Sequence, residues 1–407
     1  MSYITDFTLR NTPQLDAFGR LRVSTPETLF DLTHLYDKQP IFIQELTANG
    51  ATSTHLTNEA SVAMDVTTTV GSRIVRQTYR YISYQPGKSK QIVLTGILCT
   101  ALNAGVTARI GAFDDDADKS VDSGGNGVFF QYSGGVLSAV VRSYTSGSQV
   151  DTVIPQASWA DPLDGTGPSG ITLDLTKEQI FGIDFQWLGA GRVRFVFGIG
   201  GAQVVAYESL HANLLTSVYM STGTLPIRYE LEQVTGSAAA QMKMTCIAVN
   251  SEGGYNPRGR IWSVSNGITS RAISATETPI LGVRLRSGYN RGTVNPLRLN
   301  PYCTTNDDNI WRIYLAPNGA LTGGSWANVN ANAATEVNKT GTGVTLTNAY
   351  LISELYINQA VSQVTAFENT LLAAADIAGA SQEIIITGQN FSGNADVYCA
   401  FQFQEWL

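Results

Sequence analysis

Residues 192–199, RVRFVFGI, alternate in character: Val193, Phe195, Phe197 and Ile199 are large and apolar, and Arg192, Arg194, Val196 and Gly198 stand between them. Side chains along a β-strand point to opposite faces with a period of two, so this segment fits a strand that buries one face. A helix would scatter the same apolar residues around its circumference. Gly200 and Gly201 follow, two residues at ease with positive φ, and AQVVAY then resumes strand character. Residues 192–207 therefore read as a β-hairpin with a tight turn.

The pattern recurs along the chain in KQIVLTGIL, GVFFQYSGGVLSAVVRS, IFGIDFQWL, MKMTCIAVN, NIWRIYL, AYLISELYI, QEIIITG and DVYCAFQFQEW, separated by Gly-, Asn- and Ser-rich connections. Many short strands that each bury one face pack as sandwiches or barrels. The expected fold is all-β: an extended N-terminal arm followed by two antiparallel β-sandwich domains of jelly-roll or lectin-like type. Gly, Asn and Pro in NSEGGYNPRGR break the pattern near residues 250–260. The expected division is an arm and docking segment over 1–65, a first sandwich over 66–250 and a second over 251–407. The only expected helix is a short one at ENTLLAAADIAG, with an exposed loop as its competitor. No repeat of fixed period is present.

A chain of 407 residues with 43% hydrophobic residues has ample material for packed cores. Charged residues make up only 14%, against about 25% in an average domain. The formal net charge of −7 and the lack of a basic tract argue against nucleic acid, because phosphate neutralisation needs clustered Lys and Arg. MSYITDFTLR lacks the cationic start and apolar core of a secretory signal, and no run reaches the roughly 20 apolar residues of a membrane-spanning helix. A soluble protein made in a cytoplasm, without membrane insertion, is the expectation. Cys99, Cys246, Cys303 and Cys399 are far apart in apolar settings, with no CxxC pair, and read as buried thiols.

Candidate chemistry is sparse. Asp114, Asp116, Asp118 and Asp122 in FDDDADKSVDSGGNG are spaced as oxygen ligands for a hard cation could be. An EF-hand starting at Asp114 would, however, need Gly at 119 and Glu at 125, where Lys119 and Gly125 stand. A solvated hairpin loop is therefore the expectation, with Asp114, Asp116 and Asp118 as weak metal candidates. The glycines of GAGRVRFVFGIGG are followed by a strand rather than a helix N-terminus, so they are turn residues and not a phosphate cradle. His34, His55 and His211 are the only histidines, and none has metal-ligand spacing or nucleophile-elbow context. Glycosidase chemistry needs only two carboxylates, and Asp174, Asp184, Glu208 and Glu230 lie in or beside strands, but no strand face gathers two of them. No catalytic residue and no cofactor are expected. Most of the six tryptophans have strand neighbours and suit cores or interfaces. Trp159 and Trp326 sit in polar loops and are the candidates for exposed contact with a glycan.

Four segments carry a resemblance: DAFGRLRVSTPETLFD, YRYISYQPGKSKQIVLTGIL, FGIDFQWLGAGRVRFVF with LPIRYELE after it, and YNRGTVNPLRLNP. In this order, over nearly the whole chain, they resemble a family of virion structural proteins of tailed bacteriophages, with related segments in some large DNA viruses. The resemblance implies a particle component with a lectin-like or jelly-roll sandwich. It would be assembled in the host cytoplasm and displayed on the capsid or tail as a decoration, fibre or baseplate protein. Its partners would be copies of itself, expected as a homotrimer by analogy, and other virion proteins. The alternative is a carbohydrate-binding protein for host attachment that uses loops 114–127 and 158–170, with a glycan-degrading tail enzyme as a third reading.

Pro13 and Pro26 keep the leader from forming one helix, and Gly19 offers a turn. Leu15, Phe18, Leu21 and Val23 supply apolar anchors, and Arg20 and Arg22 alternate on one side, where they could meet carboxylates. Such an arm suits docking in a groove of another subunit or virion protein. It could equally fold back on its own sandwich.

Overall fold

The hairpin read from residues 192–207 forms as the antiparallel strands Val193–Ile199 and Ala202–Ser209. Gly200 and Gly201 take φ of 61° and 81° in the turn, a conformation that costs an L side chain about 1–2 kcal/mol per residue. The computed structural model describes residues 15–21, 25–119, 124–256, 259–304, 308–358, 365–367 and 372–407. Contacts divide the chain into two units. One comprises Met1–Thr78, Ile82–Ala117 and Gly124–Asn256; the other comprises Pro257–Leu407 with Tyr79–Tyr81 and Asp118–Ser123.

The first unit is a sandwich of two antiparallel sheets. The larger has eight strands, in the order Ala202–Ser209, Val193–Ile199, Gln179–Phe185, Ser89–Ile97, Ala240–Glu252, Ser61–Val66, Thr52–Leu56, with Glu27–Thr33 also paired to Ala240–Glu252. The other has seven: Val150–Pro155, Val136–Ser143, Gly127–Ser133, Val106–Phe113, Ile227–Gln233, Arg73–Thr78, Ile43–Ala48. Alternation decides what lies between the sheets. Phe181, Ile183, Phe185, Val193, Phe195 and Phe197 from the first sheet meet Ile110, Val128, Phe130, Tyr229 and Leu231 from the second in one buried cluster. Phe130 sits at its centre, edge-on to Phe195 with ring centroids 5.2 Å apart and 4.9 Å from Phe197. Each such side chain removed from water contributes about 1.5–3 kcal/mol.

Among the described residues the second unit holds two six-stranded antiparallel sheets and a two-stranded one. Its longest strand pair is Thr293–Cys303 with Ala395–Trp406; Val397, Cys399, Phe401 and Phe403 of the latter, at alternate positions, enter a buried cluster with Trp311, Ile313, Ile384 and Ile386. Cys99, Cys303 and Cys399 are buried and Cys246 is half-buried.

Three expectations require correction. The arm expected over 1–65 does not extend through that range, because Glu27–Thr33, Ile43–Ala48, Thr52–Leu56 and Ser61–Val66 are strands of the first sandwich. The boundary expected after residue 250 falls after Asn256, since Ala240–Glu252 is one continuous strand pairing on both sides. No α-helix occurs among the described residues. Where the helix was expected, Ala373–Ala374 pairs instead with Thr293 and Val294, and the first residues of ENTLLAAADIAG lie outside the described residues.

Candidate docking surface

The leader segment Leu15–Leu21 is a closed turn. Leu15 and Leu21 form an antiparallel bridge, the Asp16 N–H donates to the Arg20 carbonyl at 2.8 Å, and the Gly19 N–H donates to the Asp16 carbonyl at 2.9 Å. Asp16 closes it from the side chain: Oδ1 accepts the Phe18 and Arg20 N–H groups, each at 2.9 Å, and Oδ2 accepts Arg20 Nε at 2.7 Å. Gly19 takes φ of 80°, which few other residues hold without strain. DAFGR thus encodes its own geometry, with a carboxylate that satisfies two backbone donors and an arginine.

The turn is fastened to the outer side of the eight-stranded sheet of its own unit. Arg194 and Asp184 alternate with core residues on neighbouring strands, pair with each other, and are both buried. Ser89 Oγ donates to Asp184 Oδ1 at 2.6 Å and accepts the Ala17 N–H at 3.3 Å. Arg194 Nη2 donates to the Leu15 carbonyl as well as to Asp184. Arg192 donates Nη2 to the Asp16 carbonyl at 2.7 Å and Nε to the Ala17 carbonyl at 3.1 Å, and pairs with Glu208 at 3.0 Å. Arg20 reaches the Gly87 carbonyl at 3.3 Å. The leader, the QPGKS segment and the QWLGAGRVRF block, distant in sequence, therefore meet in one hydrogen-bonded network.

Of the docking residues expected from sequence, Leu15 is 5% exposed against its own unit, which corrects its assignment as an anchor in another subunit. Phe18 is half-buried and Arg20 exposed, with the Arg20 guanidinium 4.7 Å from the Phe18 ring centroid. Leu21 is 56% exposed. Arg22 and Val23 lie outside the described residues.

Beside this clip, residues 186–191 and 210–219 form a bonded pair of loops. The Tyr219 N–H donates to the Gly189 carbonyl at 2.9 Å, and Tyr219 Oη donates to the Gln186 carbonyl at 3.1 Å. His211 stacks on Tyr219 with centroids 4.0 Å apart, and its Nδ1 lies 2.6 Å from the Gly191 carbonyl. A carbonyl only accepts, so Nδ1 carries the proton and Nε2 accepts the Ser209 hydroxyl at 3.0 Å. Burial lowers the His211 pKa, with the Gly191 carbonyl opposing. On these loops Leu188, Leu210, Leu214, Leu215 and Val218 are exposed, Leu214 to 70%. Clustered exposed aliphatic residues mark a contact surface more than scattered ones do. Sequence reading missed this set, and a polar context offered no periodicity by which to find it.

The remaining candidates serve the fold. Trp159, expected in an exposed loop, is 5% exposed: it packs on Phe130 and Phe197, and its indole N–H donates to the Ile154 carbonyl at 3.0 Å. That corrects its assignment as a glycan contact. Trp326 is half-buried, with the Arg284 guanidinium 4.1 Å from its ring centroid. Asp114, expected in a solvated loop, is buried and accepts the Asn126 N–H at 2.7 Å. Asp116 Oδ1 accepts the Gly124 N–H at 2.5 Å, Asp118 ends a short 3-10 turn, and Asp122 lies outside the described residues. Among the described residues no group of three or more His, Cys, Asp or Glu side chains is placed to hold a metal ion.

Glu230 is fully buried and pairs with Arg228 at 2.6 Å, Arg109 at 2.6 Å and Arg73 at 3.2 Å. Burial pushes its carboxyl up, but the three guanidiniums outweigh it and hold the pKa well below the usual carboxylate range. Glu230 is thus a fixed anion and not a proton donor. Asp184 and Glu208 are committed to Arg194 and Arg192, and Asp174 Oδ1 accepts the N–H and hydroxyl of Thr176.

No family model and no curated protein matches the chain. Among solved structures it is similar to an endo-1,3-β-glucanase from Streptomyces sioyaensis, at 10% identity and TM-score 0.38 over 57% of this chain and 98% of that one. It is also similar to a legume lectin-like domain from Entamoeba histolytica, at 6% identity and TM-score 0.34, over 56% of this chain and 98% of that chain. For peanut lectin the values are 10% and 0.31, again over 56% and 98%. Likenesses of this extent say nothing about ligand or activity.

Proposed function

We propose that the protein is a non-enzymatic structural component of a tailed-phage particle, displayed on the capsid or tail, whose leader turn locks its own first sandwich. The apolar loop pair beside the lock then meets a second copy of the chain, with a homotrimer as the expected closed assembly. The observation that carries this reading is the convergence of the leader, QPGKS and QWLGAGRVRF segments on one buried ion-pair network next to exposed Leu188, Leu210, Leu214, Leu215 and Val218. A low charge content favours burial of this surface against a copy of itself, because interface cores are depleted of charged residues. Glycan recognition by the first unit, the alternative reading, loses Trp159 as a contact.

Mass spectrometry of purified particles from the source of this chain tests the proposal. The protein should be present at fixed stoichiometry, in many copies per particle. Its absence from particles that are otherwise complete would contradict the proposal.

A further inference from the structure

We infer that the second unit carries a binding site for a carboxylate-bearing sugar, a uronic acid or similar hydroxy acid, in the cavity beside Arg286. The inference stands on the second unit alone and is independent of the assembly reading. The cavity, about 360 Å³, lies among Arg284–Ser287, Asn290, Asn318, Glu336 and the 375–381 segment. Small-molecule pockets start at about 300 Å³, enough here for one or two sugar residues.

The charges in the wall are not equivalent. Arg284 is neutralised by Glu336 at 2.6 Å and Glu383 at 3.2 Å. Arg286 has no such partner: its Nη1 donates to the Ala333 carbonyl at 2.7 Å, its guanidinium lies 5.2 Å from the Tyr289 ring centroid, and among the described residues no carboxylate pairs with it. A half-buried guanidinium with open donors recognises a planar carboxylate in a two-pronged fashion. Asn290 supplies the second observation. It is 4% exposed, and its side-chain carbonyl oxygen has no hydrogen-bond partner among the described residues. An unsatisfied buried acceptor costs about 1–3 kcal/mol, which a ligand hydroxyl can offset.

Glu336 sets the charge of the ligand. It shares the cavity and repels a dianion more strongly than a monoanion, so a singly charged carboxylate flanked by hydroxyls fits better than a phosphate.

The test is titration of the full chain with glucuronate, galacturonate, glucose, methyl glucuronate ester and inorganic phosphate, read by saturation-transfer NMR and calorimetry. The expected result is saturable binding of at least one uronate, at least tenfold weaker binding of the neutral sugar, the neutral ester and phosphate, and at least tenfold loss in Arg286→Gln. The variant Arg312→Gln, which does not line this cavity, should bind as the parent does. Failure of both uronates to bind, or binding of glucose or phosphate as tight as that of the uronate, overturns the inference, and the parent protein alone decides these outcomes. Undiminished uronate binding by a folded Arg286→Gln protein overturns it as well. If Arg286→Gln does not fold, Arg286→Lys, which keeps the charge and loses the fork, should show the same loss; undiminished binding by it overturns the inference.

Discussion

Ser89 and Asp184, ninety-five residues apart in sequence, meet at 2.6 Å, and the same serine hydroxyl receives the Ala17 N–H of the leader. Through Ser89, and through Arg194 Nη2 bonded to the Leu15 carbonyl, the leader is tied to both members of the buried Asp184–Arg194 pair.

Asp184→Ala leaves the Arg194 guanidinium buried without its carboxylate. Removing one member of a buried pair costs about 3–5 kcal/mol. Chemical denaturation should show a loss of that size, and hydrogen exchange should show residues 15–21 losing protection before the strands around Phe130 do. Unchanged protection of the leader would mean that the pair does not hold it.

Glu230→Gln removes the anion that three arginines share. The same reasoning predicts a loss of about 3–5 kcal/mol. Because Glu230 stays ionised down to very low pH in the folded protein, the difference between parent and variant should persist from pH 8 to about pH 4.5. Below about pH 4.5 the unfolded chain takes up this proton before the folded one does, so the difference should shrink as the pH falls further; a difference that stayed constant there would place the carboxyl in the ordinary range.

His34 gives the first unit an acid sensitivity. Its side chain is fully buried, and its Nδ1 donates to the Thr245 carbonyl at 2.8 Å, leaving Nε2 facing Arg76. Burial is the main cause that lowers its pKa to about 4. The unfolded chain takes up this proton near pH 6.5 and the folded one only near pH 4, so the stability is complete above 6.5 and falls as pH drops through that window. The loss amounts to about 3 kcal/mol. Melting curves of His34→Gln should lack this component between pH 6.5 and 4, and an identical pH dependence in both proteins would contradict it.

Trp159→Ala should act on stability. Replacing a buried tryptophan costs about 3–5 kcal/mol, here through lost packing on Phe130 and Phe197. A melting temperature equal to the parent's would show that the ring lies outside the core.

The alternation of RVRFVFGI was legible because one face of that strand is wholly core, and burial imposes a period of two that local sequence must obey. The strands between residues 27 and 56 were not, because Thr52–Leu56 is a polar edge strand and Glu27–Thr33 pairs with Ala240–Glu252, a partner that no local pattern announces. Trp159 was misread for a related reason: its neighbours are polar, yet the loop folds the ring under the sheet edge onto Phe197. In the leader, the turn chemistry of Asp16 and Gly19 is local and could be read. Its receptors, Arg192 and Arg194, were visible only as the polar half of the alternation. The cluster of Leu188, Leu214 and Val218 arises from loops joined by His211 and Tyr219 and has no sequence signature.

Light scattering of the full chain in solution tests most directly the proposal that copies meet through the apolar loop pair. The parent should run as a multiple of its 43.7 kDa mass, expected threefold, and Leu188→Asp with Leu214→Asp should return it to 43.7 kDa with an unchanged circular dichroism spectrum. A parent protein that stays at 43.7 kDa at every concentration, or an assembly that both substitutions leave intact, would contradict it.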